Sequence, residues 1–205
     1  MASHRVVSAT ANPHKLDEIR EILGATVVVL GRPADLAEVE EDASTLEGNA
    51  ELKVAAVVAA SGEPALADDT GLEVDALRGA PGVRSARYGG PEADDEKNYN
   101  KLLGELRELG ANAPEQRRAR FRTVVILGWP DGRRLVGRGV VEGTIATTPR
   151  GDRGFGYDPV FIPDEGDGRT FGEMWPEEKH SLSHRGRALR ELADQLAALG
   201  PVEEA

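Results

Sequence analysis

Apolar positions along the chain recur with two periods, and they divide it into alternating strands and helices. Val6–Ala9 is a short apolar run that predicts a strand, followed by a helix over Lys15–Gly24 whose Leu16, Ile19, Ile22 and Leu23 share one face. The β-branched stretch Thr26–Leu30 predicts a second buried strand. Ser44-Thr45-Leu46-Glu47 has the form of a capping box and opens an Ala-rich helix to about Ser61. Pro64–Asp68 predicts a strand running into DDTGLEVD, with the two aspartates at the strand's end. Asn98–Leu109 carries Leu102, Leu103, Leu106 and Leu109 on one helical face. Arg120–Trp129 and Arg134–Thr147 flank a Pro130-Asp131-Gly132 turn and predict an antiparallel pair. Val160–Ile162 is a short strand, and His184–Leu199 a final amphipathic helix. Helices alternating with strands early, then a hairpin, predict a mixed α/β sheet. No repeat, low-complexity run or featureless linker interrupts the 205 residues, so residues 1–205 read as a single domain, at most with two lobes.

Composition narrows the function classes. A hydrophobic share of 40% is ordinary for a globular protein and leaves disorder aside. Cysteine is absent, which removes disulfides, thiolate metal sites and a cysteine nucleophile. The longest apolar runs, such as Val54–Ala60 and Val124–Leu127, are too short to cross a bilayer, and MASHRVVSAT has no apolar leader core, so a cytoplasmic, membrane-free protein is expected. A net charge of −11 argues against a nucleic-acid polymer as partner, yet permits a small anion met by a few local cations or a metal ion.

Candidate chemistry gathers in four segments. Thr10-Ala11-Asn12-Pro13-His14-Lys15 lies between the first strand and first helix, where free backbone N–H groups suit a phosphate; without glycine it is no Walker loop. Glu40-Glu41-Asp42 precedes a helix that carries Asn49 and Lys53 one turn apart. Asp68-Asp69-Thr70-Gly71 sets two carboxylates side by side after an apolar run, which is costly if they are buried unpaired. Strand alternation sends the two side chains to opposite faces, so that one can meet Mg²⁺ while the other braces the backbone; an Asx-type turn is the plain alternative. Gly154-Phe155-Gly156-Tyr157-Asp158-Pro159 brackets an aromatic with glycines in a chain of only 4% aromatics, as a loop over a flat ligand would or as a turn anchored by its rings. Lys179 and Ser183-His184-Arg185 place cations around a helix start, against the dipole, which an anionic or electron-rich ligand would explain.

Taken together, SATANPHK, TLEGNAELK, PALADDTGLEVDALRGAPGVRSARYGG, RRARFRTVV, GFGYDPVF and EEKHSLSHRGRAL resemble the inosine triphosphate pyrophosphatase family, also called the Ham1 or RdgB family, in its order and over Val6 to Leu189. The resemblance implies a mixed central sheet flanked by helices, two lobes with a nucleotide cleft, and a homodimer. It implies hydrolysis of non-standard purine nucleoside triphosphates (dITP, ITP, XTP) to the monophosphate and pyrophosphate with Mg²⁺. By the family pattern Thr10–Lys15 and Lys53 hold the triphosphate, Asp69 is the general base, and Asp69 with Glu41 binds Mg²⁺. Thr70 contacts substrate where serine is usual, and Phe155, Gly156, Tyr157, Asp158, Lys179, His184 and Arg185 hold base and sugar. Departures from the pattern are Ala11 and His14 where glycines are common, Gly48 where a glutamate usually precedes Asn49, and His180 in place of asparagine.

Three other readings carry different signatures. A Maf-like pyrimidine pyrophosphatase would lack the GFGYDP and SHR segments, a non-catalytic nucleotide sensor would not need the Asp68-Asp69 pair, and a phosphate-loop GTPase would carry a glycine-lysine motif. His184 and Arg185 both donate hydrogen bonds, so facing the 6-carbonyl of hypoxanthine they would reject adenine's amino group. On that reading Arg185→Ala lowers kcat/KM for inosine triphosphate more than for ATP.

Overall fold

A computed structural model describes residues 4–24 and 27–199. It is a mixed α/β fold with a central mixed sheet. The strands are β1 (His4–Ser8), β2 (Val27–Leu30), β3 (Ala65–Val74), β4 (Pro81–Gly82), β5 (Arg118–Gly128), β6 (Arg134–Ile145) and β7 (Phe161–Pro163); the helices are α1 (Pro13–Leu23), α2 (Leu46–Ser61), α3 (Asp95–Glu108), α4 (Pro176–Leu182) and α5 (His184–Ala198). Sheet order is β2-β1-β3-β5-β6-β7, with β4 paired to β3. β1 runs parallel to β2 and β3, whereas β3–β4 and β6–β7 are antiparallel. The described residues fall into two compact units, one drawn from residues 1–69, 123–139 and 185–205 and the other from residues 70–122 and 140–184.

In the first unit α1 begins two residues before the periodicity predicts. Asn12 is its N-cap, with Oδ1 accepting from the His14 and Lys15 N–H groups at 2.9 and 3.3 Å, and Pro13 at N1 starts the helix without a donor to satisfy. Ile19 and Leu23 bury against Val6, Val27 and Leu66 of the parallel strands, joined by Leu189 and Leu192 of α5. The predicted strand's first residue, Thr26, lies outside the described residues. α2 is capped by Thr45, whose Oγ1 accepts from Gly48 N–H at 3.0 Å. The cap therefore sits one residue after the Ser44 expected from the capping-box pattern, and glycine at N3 offers no reciprocal bond. At its other end Gly62 closes the helix with φ +69°.

The second unit is built on α3, capped by Asp94 through Lys97 N–H at 2.9 Å, and starting three residues earlier than the leucine spacing indicates. Leu102, Leu103 and Leu106 bury with Leu72 and Val74 of β3 and an aromatic group of Phe121, Phe161 and Phe171. Phe121 and Phe161 lie 4.7 Å apart between centroids, and Phe161 and Phe171 5.3 Å, in tilted contacts that add to plain burial. α4 is a helix that the apolar pattern does not announce. Pro176 stands in its first turn and Glu178 Oε2 accepts from Trp175 N–H at 2.8 Å.

Candidate active site

β3 carries the acidic pair through its middle, not at its end. Asp68 and Asp69 are 2% and 6% exposed, so each charge needs a partner within the protein. The strand's alternation sends Asp68 toward α1 and α5, and Asp69 toward α2.

On the Asp68 side, Oδ2 meets Lys15 Nζ at 3.1 Å and the Nε and Nη2 of Arg185 at 3.2 Å each. Arg185 Nη1 donates to Glu18 Oε2, a buried carboxylate on α1. Burial alone would raise the pKa of Asp68, but Lys15, Arg185 and Lys53 hold its carboxyl well below the usual range. The family pattern places Arg185 at the base and sugar; here its guanidinium lies against two carboxylates, 2% exposed.

On the Asp69 side, Oδ1 accepts from Lys53 Nζ at 3.0 Å and Oδ2 from Asn49 Nδ2 at 3.3 Å. Lys53 Nζ also donates to the Asp68 carbonyl at 2.8 Å and stands 3.5 Å from Glu41 Oε1. Asn49 is oriented from behind, since its Oδ1 accepts from Ala43 N–H at 3.0 Å. Burial pushes Asp69 above the ordinary carboxylate pKa, with Glu41 adding to it, against the opposing pull of Lys53 and Lys15. For Lys53 burial works downward, and the carboxylates of Asp69, Asp68 and Glu41 outweigh it, leaving the amine above its usual value. Glu47, adjacent to the position where glutamate is usual, pairs instead with Arg138 at 2.7 Å. A side chain at Gly48 would put its Cβ 2.7 Å from Ala43 Cβ, so a residue other than glycine there would have to shift that turn.

The turn before α1 is largely self-satisfied. Thr10 Oγ1 accepts from Asn12 N–H at 3.1 Å, and Asn12 caps His14 and Lys15. A phosphate reaching those N–H groups competes with the Asn12 side-chain carbonyl, while Ala11 and His14 are exposed.

In the second unit the glycine-bracketed loop is pinned by Asp158. Its Oδ2 accepts from Phe155 N–H at 2.9 Å and from Lys179 Nζ at 2.7 Å, and Lys179 Nζ sits 4.7 Å from the Phe155 ring centroid. Gly156 N–H donates to Asp95 at 2.7 Å. Tyr157 is part of the core, its hydroxyl donating to the Ser85 carbonyl at 2.8 Å, so its ring anchors the loop. His184 is buried with its ring stacked on Phe121, centroids 4.3 Å apart. Lys179 lies in the last turn of α4, where a cation complements the dipole; its placement there needs no ligand, unlike the helix start expected from sequence. Thr70 follows Asp69 in β3 and is half-buried. Glu18, Asn49 as brace and Ser85 were not singled out by the sequence. Asn49 carries a signal in its spacing from Lys53, and Glu18 one in its place next to Ile19 on a buried helix face.

Gly154 tests this loop directly. It has φ +74°, and an added Cβ would lie 2.0 Å from Asp158 Oδ2. Gly154→Ala combines left-handed strain of about 1–2 kcal/mol with displacement of the carboxylate that holds Phe155 and Lys179. The variant is expected to melt several degrees below the wild type; an unchanged melting temperature would show that Asp158 does not pin the loop.

The chain is a mixed α/β protein whose central sheet carries a buried acidic pair braced by cations. The Ham1 family profile matches residues 6–195, and the chain belongs to that family. A dITP/XTP pyrophosphatase of Thermus thermophilus is 51% identical over 193 residues, covering 93% of this chain and 90% of its own length. One of the same name from Brucella melitensis is 44% identical over 209 residues, covering 93% and 92%. Among solved structures, a HAM1 protein from Coxiella burnetii superposes with a TM-score of 0.85 at 38% identity, over 95% of this chain and 99% of that one. A nucleoside-triphosphatase / dITP/XTP pyrophosphatase from Mycobacterium abscessus gives 0.72 at 40% identity, over 97% and 100%.

Proposed function

We propose that this chain hydrolyses dITP, ITP and XTP to the nucleoside monophosphate and pyrophosphate, removing non-standard purines from the nucleotide pool. Membership of the Ham1 family, with relatives named dITP/XTP pyrophosphatase at 44–51% identity, carries this reading and disfavours a Maf-like pyrimidine enzyme or a nucleotide sensor. A cytoplasmic location and a homodimer belong to the same proposal; no helix among the described residues is long and apolar enough to cross a membrane.

In the reaction a water oxygen attacks the α-phosphorus, the bond from the α-phosphorus to the bridging oxygen breaks, and pyrophosphate leaves. Asp69 orients that water and takes its proton, helped by the burial that raises its basicity. Lys15 and Lys53 neutralise charge on the triphosphate and the departing pyrophosphate. The Phe155 loop offers a ring face to the base, and the Lys179 ammonium donates without accepting, which suits a 6-carbonyl and opposes adenine's amino group.

The residues present fit Mg²⁺. Asp69 and Glu41 both point at the Lys53 ammonium, so two hard oxygen donors converge on one place. No group of three His, Asp or Glu side chains gathers for a metal among the described residues, so water and phosphate oxygens would complete the coordination, as is usual for Mg²⁺. When bound there, Mg²⁺ supplies charge neutralisation at the triphosphate.

Pyrophosphate release measured across dITP, ITP, XTP, GTP, ATP and CTP, with Mg²⁺ and with excess EDTA, tests the reading. The inosine and xanthosine substrates should exceed ATP by on the order of tenfold or more, as expected when a buried donor faces a mismatched base. Preference for CTP would sink the purine assignment, and full rate in EDTA would sink the metal role.

A further inference from the structure

Two features of the Asp69 side do not follow from the reaction itself. Lys53 Nζ makes three contacts at once, with Asp69 Oδ1, the Asp68 carbonyl and Glu41 Oε1, at 3.0, 2.8 and 3.5 Å. Asp69 and Glu41 are the same carboxylates that would hold the divalent cation, and the ammonium fills the position on which they converge. The side chain is also well held, being 9% exposed and springing from the buried first half of α2. Asn49, one turn before it, donates to the other oxygen of Asp69 and so favours this orientation of the carboxylate.

We propose that Lys53 is a built-in stand-in for the cation: it occupies the Asp69–Glu41 site in the free protein, so that the protein binds its divalent ion only with the triphosphate. This rests on the assignment of Asp69 and Glu41 as metal ligands. A dication entering that position meets a positive charge a few ångströms away, a repulsion that remains large even at the effective dielectric of a partly buried site. The triphosphate removes it by giving the ammonium another anion to meet, as the phosphate role of Lys53 requires. The metal–nucleotide complex is then the true substrate, and free metal is neither bound nor needed beforehand. Until substrate arrives, the ammonium also keeps two neighbouring carboxylates from facing each other uncompensated.

The test is Mn²⁺ binding without nucleotide, followed by electron paramagnetic resonance of the free ion, in the wild type, Lys53→Met and Lys53→Gln. Glutamine retains a donor for the Asp68 carbonyl and so guards against a packing failure in the methionine variant. Both neutral variants should bind one Mn²⁺ at least about tenfold more tightly than the wild type, as expected from removing a like charge. Adding Asp69→Asn to either variant should abolish the gain. Wild-type binding as tight as in the variants would overturn the stand-in role while leaving the metal site intact. A gain that survives Asp69→Asn, or no binding by any variant, would remove the Asp69–Glu41 cation site itself and the proposal with it.

Discussion

Asp69→Asn is expected to lower turnover by about 10²–10⁴-fold, the usual cost of removing a general base, while the protein stays folded. The surroundings of Asp69 explain why so small a change is severe. Its two oxygens accept from two different donors, Lys53 Nζ and Asn49 Nδ2. An asparagine keeps one oxygen, and Lys53, as the charged donor, takes it. The new amide NH₂ then faces Asn49 Nδ2, donor against donor. Asn49 cannot answer by flipping, because its own oxygen is engaged by Ala43 N–H at 3.0 Å. A buried mismatch of this kind costs about 1–3 kcal/mol, enough to lower the melting temperature by several degrees but less than the roughly 5–15 kcal/mol that holds a domain folded. The loss of rate thus has a cause separate from the loss of stability: an amide has no basic lone pair to take the water's proton. Single-turnover pyrophosphate release and a thermal melt on the same sample keep the two apart. A variant that melts a few degrees lower yet retains more than about a tenth of the wild-type rate would show that Asp69 is not the base.

The regular elements were legible because they rest on local periodicity. Ile19 and Leu23 on α1, or Leu102 and Leu106 on α3, announce a helix whatever surrounds them. Starts were less legible, since Asn12 and Asp94 cap through side chains whose geometry the apolar pattern does not contain. Asp68-Asp69-Thr70-Gly71 is where local sequence and fold differ most. Read locally, two aspartates and a glycine are poor strand formers and suggest an end to β3. In the fold the strand continues because Lys15, Lys53 and Arg185, brought from three helices far apart in sequence, offset both charges. That compensation is a tertiary fact, and so is the position of Arg185. Donor chemistry suggested a base reader; the location of its partners on β3 and α1 could not be seen from the residue itself. Lys179 shows the same limit, because α4 is only seven residues long and has too little apolar periodicity to be noticed.

Arg185→Met is expected to destabilise the protein strongly and to lower activity on inosine triphosphate and ATP by similar factors, in place of the selective loss that its donor chemistry alone suggests. Asp68 and Glu18 are 2% and 8% exposed, and both receive hydrogen bonds from this one guanidinium. Methionine fills similar volume and supplies none of them. Lys15 still reaches Asp68, whereas the Glu18 carboxylate loses its charged donor from Arg185 in a buried place. Breaking a buried ion pair from one side typically costs about 3–5 kcal/mol, which for a chain of this length corresponds to a fall in melting temperature on the order of 10 °C. Lys15 sits on the same Asp68 oxygen, so the disturbance reaches a cation proposed to hold the phosphates, which every triphosphate shares whatever its base. Glu18→Gln provides the internal check. If Arg185 acts through its carboxylates, the double variant Glu18→Gln/Arg185→Met loses less stability than the sum of the two separate losses, because the group that gives up its Arg185 donor is no longer charged. Melting curves for the three variants, and kcat/KM on both nucleotides for Arg185→Met, decide the matter. Additive losses in stability, or a fall confined to inosine triphosphate, would return Arg185 to the base and remove the clamp as its role.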